Sequence, residues 1–126
     1  LLFVIPHLLI VAHVRRYQSR LHAACERNDI QAVRQALLDG AAIDARNDDG
    51  ATPLLTAAAA GADDVLAELL DAGAGLEECD DGGRTPLMRA CLAKRTATVL
   101  FLIQAGAKPL SCDREGMIQI LTFSLI

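Results

Sequence analysis

Aromatic side chains are scarce in this sequence. Trp is absent, and one Tyr and three Phe are the only other aromatic residues among 126, although apolar residues make up 52% of the chain. A folded core must therefore be built from Leu, Ala, Val and Ile, and close packing of many small residues is typical of helices. Folding at this length hides most of the unfolded chain's surface, so we expect one stable core.

Positive charge is also limited. The formal net charge is -4, whereas binding to nucleic acid needs a concentrated basic face. The one basic cluster, Arg15, Arg16 and Arg20, adjoins an apolar stretch, where such charges form a solvated helix face or mark a membrane edge. We therefore predict no nucleic-acid partner.

The sequence lacks the residue sets that catalysis or metal binding would need. The three histidines all lie within the first 22 residues, and the four cysteines are far apart, without CxxC spacing. The acidic turn before Gly50 does not form an EF-hand loop, because Ala45 occupies the first ligand position. We predict no enzymatic activity, no cofactor and no metal site, with reduced thiols in a cytosolic protein.

One spacing recurs through three copies of the sequence. Gly40, Gly73 and Gly106 are each 33 residues apart. The same register holds Leu21, Leu54 and Leu87; Ala24, Ala57 and Ala90; Val33, Leu66 and Val99; and Leu37, Leu70 and Ile103. So many coincidences in one register predict an internal repeat.

Each period is predicted to contain two short helices. Thr52 and Thr85 precede Pro, and Thr caps a helix whose first turn accepts Pro. The turn between the two helices falls at Asn28, Gly61 and Lys94, where Lys should be slightly strained. The second helix carries an apolar stripe, in which we expect Leu70 to be fully buried, and it ends at a Gly cap. The stripe consists of Val65, Leu66, Leu69 and Leu70.

These features together resemble the ankyrin repeat over roughly residues 19–126. The closest copies of its pattern are Gly50-Ala51-Thr52-Pro53-Leu54 and Gly83-Arg84-Thr85-Pro86-Leu87. The resemblance implies an all-α fold, a solenoid of stacked helix-turn-helix units with hairpin-like fingers. It implies about three repeats and a partial fourth from residue 113. The family's His, which hydrogen-bonds between neighbouring fingers, is kept only as His22, and its replacement by Leu55 and Met88 predicts less rigid fingers.

We divide the chain into two parts, an apolar N-terminal segment of residues 1–18 and the repeats of residues 19–126. Residues 1–14 are almost wholly apolar and are followed by Arg15 and Arg16. A helix from Pro6 would place Val11 and Tyr17 on a stripe that continues into the first repeat, as a cap on the open end of the solenoid. Alternatively, residues 1–14 are the end of a membrane anchor, with the arginines on the cytosolic face.

The predicted function is binding of a partner protein through the concave face and finger tips, as the family resemblance implies. The alternative functions are those of a cytosolic ankyrin domain of a membrane-anchored protein and of a regulatory domain of a larger enzyme. The chain is expected to be monomeric and cytoplasmic, or to lie at the cytosolic face of a membrane. Arg84 and Arg89 are expected to contribute to binding and little to stability. The predicted partner-binding residues are Glu26, Arg27, Arg46, Asp48, Asp49, Asp81, Arg84, Arg89 and Arg114.

Overall fold

Three consecutive helix pairs make up the described part of the chain, residues 4–108 of a computed structural model, and this part contains no strand. The all-α repeat fold is therefore confirmed. The predicted partial fourth repeat from residue 113 lies outside the described residues and stays a prediction. The helices are α1 (Val4–Glu26), α2 (Ile30–Leu38), α3 (Pro53–Ala60), α4 (Asp63–Asp71), α5 (Pro86–Leu92) and α6 (Thr96–Gln104).

The first helix of each later pair begins where the sequence predicts. The hydroxyl oxygens of Thr52 and Thr85 accept hydrogen bonds from the backbone N–H of Leu55 and Met88, both at 3.3 Å. Each cap is followed by a Pro whose missing N–H would have had no partner in the first turn. The Thr-Pro pairs therefore fix the start of α3 and α5.

The turns inside the helix pairs have left-handed backbone, as predicted. The φ angles are +54° at Asn28, +71° at Gly61 and +57° at Lys94. Asn and Gly tolerate this conformation, whereas the Cβ of Lys crowds its own carbonyl group. Backbone strain is therefore concentrated at Lys94.

The helices form two layers. The inner layer consists of α1, α3 and α5, each packed against the next, and the outer layer of α2, α4 and α6 closes over it. Small residues allow this close approach, because Ala24, Ala57 and Ala90 at the same repeat position are all fully buried. The core is thus continuous through the three pairs.

The outer-layer stripe differs from the prediction at one position. Leu66 and Leu69 are fully buried, whereas Leu70 is only partly buried and its equivalent Ile103 is 48% exposed. Successive helical residues are rotated by about 100°, so when Leu69 points into the stack Leu70 is turned towards its edge. The expectation that Leu70 is fully buried is therefore wrong.

Helix α1 runs without a break across residue 18. The predicted division of the chain into residues 1–18 and 19–126 stays a prediction. The C-terminal half of α1 packs into the first repeat, with Leu21 and Ala24 fully buried and Tyr17 partly buried. The predicted stripe does not extend to Val11, which is 45% exposed. Among the helices of residues 4–108, none combines the length and hydropathy needed to cross a bilayer.

Side chains of the outer layer connect neighbouring pairs. The Asn28 amide oxygen accepts a hydrogen bond from the backbone N–H of Val65 at 3.2 Å, at the start of α4. Helix α4 has no side-chain cap of its own, so the preceding repeat supplies it. Arg34 on α2 binds both carboxylate oxygens of Glu68 on α4, at 2.8 and 3.1 Å. These contacts fix the register of one pair on the next.

Candidate functional site

Two open grooves lie where the loops between helix pairs meet the inner helices. We call the loops finger 1 (residues 41–52) and finger 2 (residues 74–85), and the surface that they form with α1, α3 and α5 the concave face. Groove 1, of about 670 Å³, lies between the two fingers and α3 and α5. Groove 2, of about 680 Å³, lies between α1 and finger 1. The concave face therefore offers two adjoining cavities.

The turn at the tip of each finger is closed by the side chain of the first residue of that turn, Asn47 in finger 1 and Asp80 in finger 2. The Asn47 amide oxygen accepts hydrogen bonds from the backbone N–H groups of Asp49 and Ala51, both at 3.0 Å. One repeat later, Asp80 Oδ1 accepts equivalent bonds from Gly82 and Arg84, both at 2.9 Å. Asn and Asp commonly close turns in this way. The backbone that carries the exposed finger residues is therefore fixed.

The second carboxylate oxygen of Asp80 binds Arg89 on α5. Asp80 Oδ2 lies 2.9 Å from Arg89 Nε and 2.8 Å from Arg89 Nη2, with the two side chains 3% and 20% exposed. Burial acts to raise the pKa of Asp80, but the backbone hydrogen bond from Arg84, the hydrogen bond and charge of Arg89, and the backbone hydrogen bond from Gly82 outweigh it. The pKa of the Asp80 carboxyl is therefore lowered. Arg89 thus ties finger 2 to the inner helix.

This ion pair changes the expectation for Arg89. We expected its removal to affect stability little, because the repeat pattern leaves the position variable. The structure instead makes it the charged partner of a buried carboxylate. Removing Arg89 would leave that carboxylate unpaired, so we expect its removal to lower the stability of the fold, contrary to the expectation from the sequence. Arg84 is exposed and its expected behaviour is unchanged.

Arg46 connects the two fingers. Its Nη1 donates hydrogen bonds to the backbone carbonyl groups of Gly50 at 2.6 Å and Cys79 at 2.5 Å, and its Nη2 lies 3.0 Å from a carboxylate oxygen of Glu78. The fingers also approach each other at Gly50, where an added Cβ would meet the carboxylate of Asp81, which would have to move. The φ of +74° at this position favours glycine.

His22 forms the floor of groove 2. Its Nε2 lies 2.6 Å from the backbone carbonyl oxygen of Ala45 in finger 1, and its Nδ1 lies 3.0 Å from the Thr56 hydroxyl on α3. A carbonyl oxygen can only accept, so Nε2 donates to Ala45, while Nδ1 pairs with the Thr56 hydroxyl, which also lies 3.3 Å from the backbone carbonyl oxygen of Thr52. His22 thus makes the bridge between neighbouring repeats that the resemblance implied.

Most of the predicted partner-binding residues line the grooves. Groove 1 brings together Asp48, Asp49, Asp81, Arg84 and Arg89. Groove 2 brings together Glu26, Arg46 and Asp48. Arg27 is exposed just after α1 and lines neither groove, and Arg114 lies outside the described residues. Their role in partner binding stays a prediction.

Two groove residues were missed by the sequence analysis. Leu92, 41% exposed on α5, adds an apolar wall to groove 1, and its offset of two repeat periods from the predicted binding residue Glu26 was a usable signal. Asp80 was passed over among the polar turn residues, although its 33-residue offset from Asn47 was a usable signal. The pairing of Asp80 with Arg89 depends on the path of the loop, which the spacing does not reveal.

The thiols only partly follow the prediction. Cys25 and Cys91 are free and buried, and burial raises the pKa of both, for Cys25 to about 12. Cys79 is disulfide-bonded, so the prediction of a reduced thiol there is wrong. The prediction of a reduced thiol at Cys112 lies outside the described residues. The cytosolic location that we inferred from the thiols therefore stays a prediction.

Within residues 4–108, no three His, Cys, Asp or Glu side chains are grouped so that they could hold a metal ion.

Comparison with known families gives one finding. A family model described as ankyrin repeats, with three copies, matches residues 21–113. The match covers α2 to α6, the two fingers, the end of α1 and all residues of groove 1. No curated protein matches the chain.

Proposed function

Because the chain belongs to the ankyrin-repeat family, whose repeats generally act as protein–protein interaction modules, we propose that it binds a partner protein through its concave face. The observation that carries this proposal is groove 1, in which exposed charges project from a backbone that hydrogen bonds hold in place. Preorganised groups lose little conformational freedom on binding, so a fixed surface of this kind favours affinity.

The chemistry of groove 1 indicates the kind of contact. Asp48, Asp49, Asp81 and Arg84 are exposed around it, and Leu92 contributes an apolar wall. The charge of Arg89 is balanced by Asp80. A partner surface with basic groups facing the three carboxylates and an acidic group facing Arg84 would fit this pattern, and complementary charges mainly supply specificity and association rate.

Site-directed photocrosslinking tests which face is used. A photoreactive benzoylphenylalanine replaces Asp48 or Arg84 on the concave face, and Leu38 or Leu100 on the outer helices as matched exposed controls. We expect one partner to be crosslinked from both concave positions and not from the controls. Crosslinking of that partner from the outer helices alone would contradict the proposal.

A purified partner allows the contribution of Arg84 to be measured. Arg84→Ala is expected to weaken binding by about 1 to 3 kcal/mol, as loss of an interface arginine can do. The melting temperature should hardly change, because the side chain is exposed. Asp71→Ala, at an exposed position on outer helix α4, is the control and should leave affinity unchanged. Calorimetry on both variants separates a groove 1 contact from a general effect of charge.

A further inference from the structure

One turn of α1 is apolar on every side and exposed on every side. Leu9, Ile10 and Val11 are 58%, 61% and 45% exposed, and Ala12 is exposed as well. Successive helical residues point about 100° apart, so these four residues cover the whole circumference of the helix. We call residues 9–12 the apolar turn.

The apolar turn differs in kind from the part of α1 that packs on the repeats. Further along, only one side of the helix is buried. Leu21 and Ala24 lie in the core, whereas Arg20 is exposed to solvent. A second protein packed on a helix covers one stripe of it and leaves the opposite side in water. An apolar circumference is instead suited to a medium that surrounds the helix, which points to the acyl chains of a lipid bilayer.

The charges that follow the apolar turn match the same surroundings. Arg15, Arg16 and Arg20 are exposed, and no acidic residue precedes Glu26. At 1.5 Å per residue these arginines lie about 5 to 12 Å along the helix from the apolar turn. The headgroup layer on each side of a bilayer is about 5 to 8 Å thick. Arg15 and Arg16, about 5 and 6 Å away, therefore lie at the depth of lipid phosphates when the apolar turn reaches the acyl chains, whereas Arg20, about 12 Å away, lies beyond the headgroup layer.

We propose that the N-terminal part of α1 inserts into the surface of a membrane that contains anionic lipid. The apolar turn lies among the acyl chains, and Arg15 and Arg16 contact the phosphate groups. Because α1 continues without a break into the first repeat, the repeats are held close to the lipid surface. Groove 1 is built from other residues, so partner binding in groove 1 and membrane binding are separate properties of the chain.

Sedimentation with vesicles of phosphatidylcholine and about 30 mol% phosphatidylserine tests the contribution of charge. We expect binding that weakens at high salt, and a loss of about tenfold or more for Arg15→Glu with Arg16→Glu. The matched control, Arg27→Glu with Arg84→Glu, makes the same change in net charge at exposed positions elsewhere and should bind as the parent protein does. Equal loss in both double variants would overturn the proposal.

The apolar contribution is tested in the same assay. Leu9→Ser with Ile10→Ser should lose about tenfold in vesicle binding, whereas Leu100→Ser with Ile103→Ser, at similarly exposed positions on α6, should lose none. Circular dichroism verifies that every variant is folded. Vesicle binding of the Leu9→Ser, Ile10→Ser variant that equals that of the parent protein would overturn the proposal. If the same variant also loses self-association in sedimentation equilibrium, the apolar turn contacts a second copy of the chain instead.

Insertion depth can be followed by fluorescence, because the chain has no Trp. A single Trp introduced by Leu9→Trp should shift its emission to the blue when vesicles are added, as it leaves water for acyl chains. Leu100→Trp, exposed to a similar extent at 56%, should show no shift. Absence of a shift at position 9, with vesicles that sediment the protein, would exclude insertion of the apolar turn.

Discussion

The buried pair of Asp80 and Arg89 gives the sharpest test of how finger 2 is held. Asp80→Asn should remove the ion pair and keep the turn, because an amide oxygen closes the equivalent turn at Asn47. The variant loses the charge-assisted hydrogen bond from Arg89 Nε and the close ion pair with Arg89 Nη2. Since Arg89 is 20% exposed, water replaces part of the loss. We expect the free energy of unfolding to fall by about 1 to 3 kcal/mol.

Removing the other partner should cost more. Arg89→Ala leaves the Asp80 carboxylate at 3% exposure with its two backbone donors alone, and the expected loss is about 2 to 4 kcal/mol. In the double variant the losses should not add, with a coupling of about 1 to 2 kcal/mol. Urea denaturation of the four proteins measures this cycle. Additive losses would mean that the two side chains do not interact.

Acid should abolish the difference between wild type and Asp80→Asn. The pKa of Asp80 is lower in the folded than in the unfolded protein, so the charged form stabilises the fold above the ordinary Asp pKa of about 4. That stability is lost as the pH falls through the folded pKa. The gap in unfolding free energy should therefore narrow below pH 4. A gap of equal size at neutral and acid pH would refute the reasoning, and Asp48→Asn, exposed in finger 1, is the control.

Three further predictions concern the repeats. Leu69→Ala should lower the free energy of unfolding by about 2 to 5 kcal/mol, and Leu70→Ala by about 1 to 2, because Leu69 is fully and Leu70 partly buried; equal losses in urea denaturation would contradict this packing. Lys94→Gly should stabilise the protein by about 1 kcal/mol by relieving the positive φ, and a lower melting temperature would be evidence against that strain. Because burial raises the pKa of the Cys25 thiol to about 12, iodoacetamide at pH 8 should alkylate it only as fast as the protein opens, and rapid labelling of the folded protein would contradict its burial.

The sequence predicted the repeat elements well because each is specified locally. A Thr that caps a Pro-initiated helix needs no distant contact, and the left-handed turns at Asn28 and Gly61 follow from which residues tolerate that conformation. The phase of the outer helix was less certain. Leu69 and Leu70 are both apolar at recurring positions, so the apolar pattern of the sequence includes both residues and does not show which of them points into the core. Only packing against neighbouring repeats decides which of the two is enclosed.

The candidate site was predictable in outline and not in its contacts. Register alone indicates which finger residues vary between repeats, and those residues gather in the grooves. The bonds of Arg46 and Arg89 could not be predicted, because they depend on loops that bring residues 32, 33 and 9 positions apart together. Charged residues at variable positions look alike in sequence whether they face solvent or hold a neighbouring loop. The structure separates Arg84, which is exposed, from Arg89, which is paired.

The loss of the family's His at two positions does not leave the fingers without connections. At Leu55 and Met88 the side chains are fully buried, so these positions strengthen the core instead of the bridge. Finger 2 is tied to α5 by Arg89 and to finger 1 by Arg46, whereas finger 1 keeps the bridge from His22. The two grooves are therefore held by different chemistry, and their exposed charges differ as well. Because Asp80 already balances Arg89, the unpaired charges of groove 1 are its exposed carboxylates and Arg84. We therefore expect a substitution of Arg84 to change partner binding with little effect on the fold.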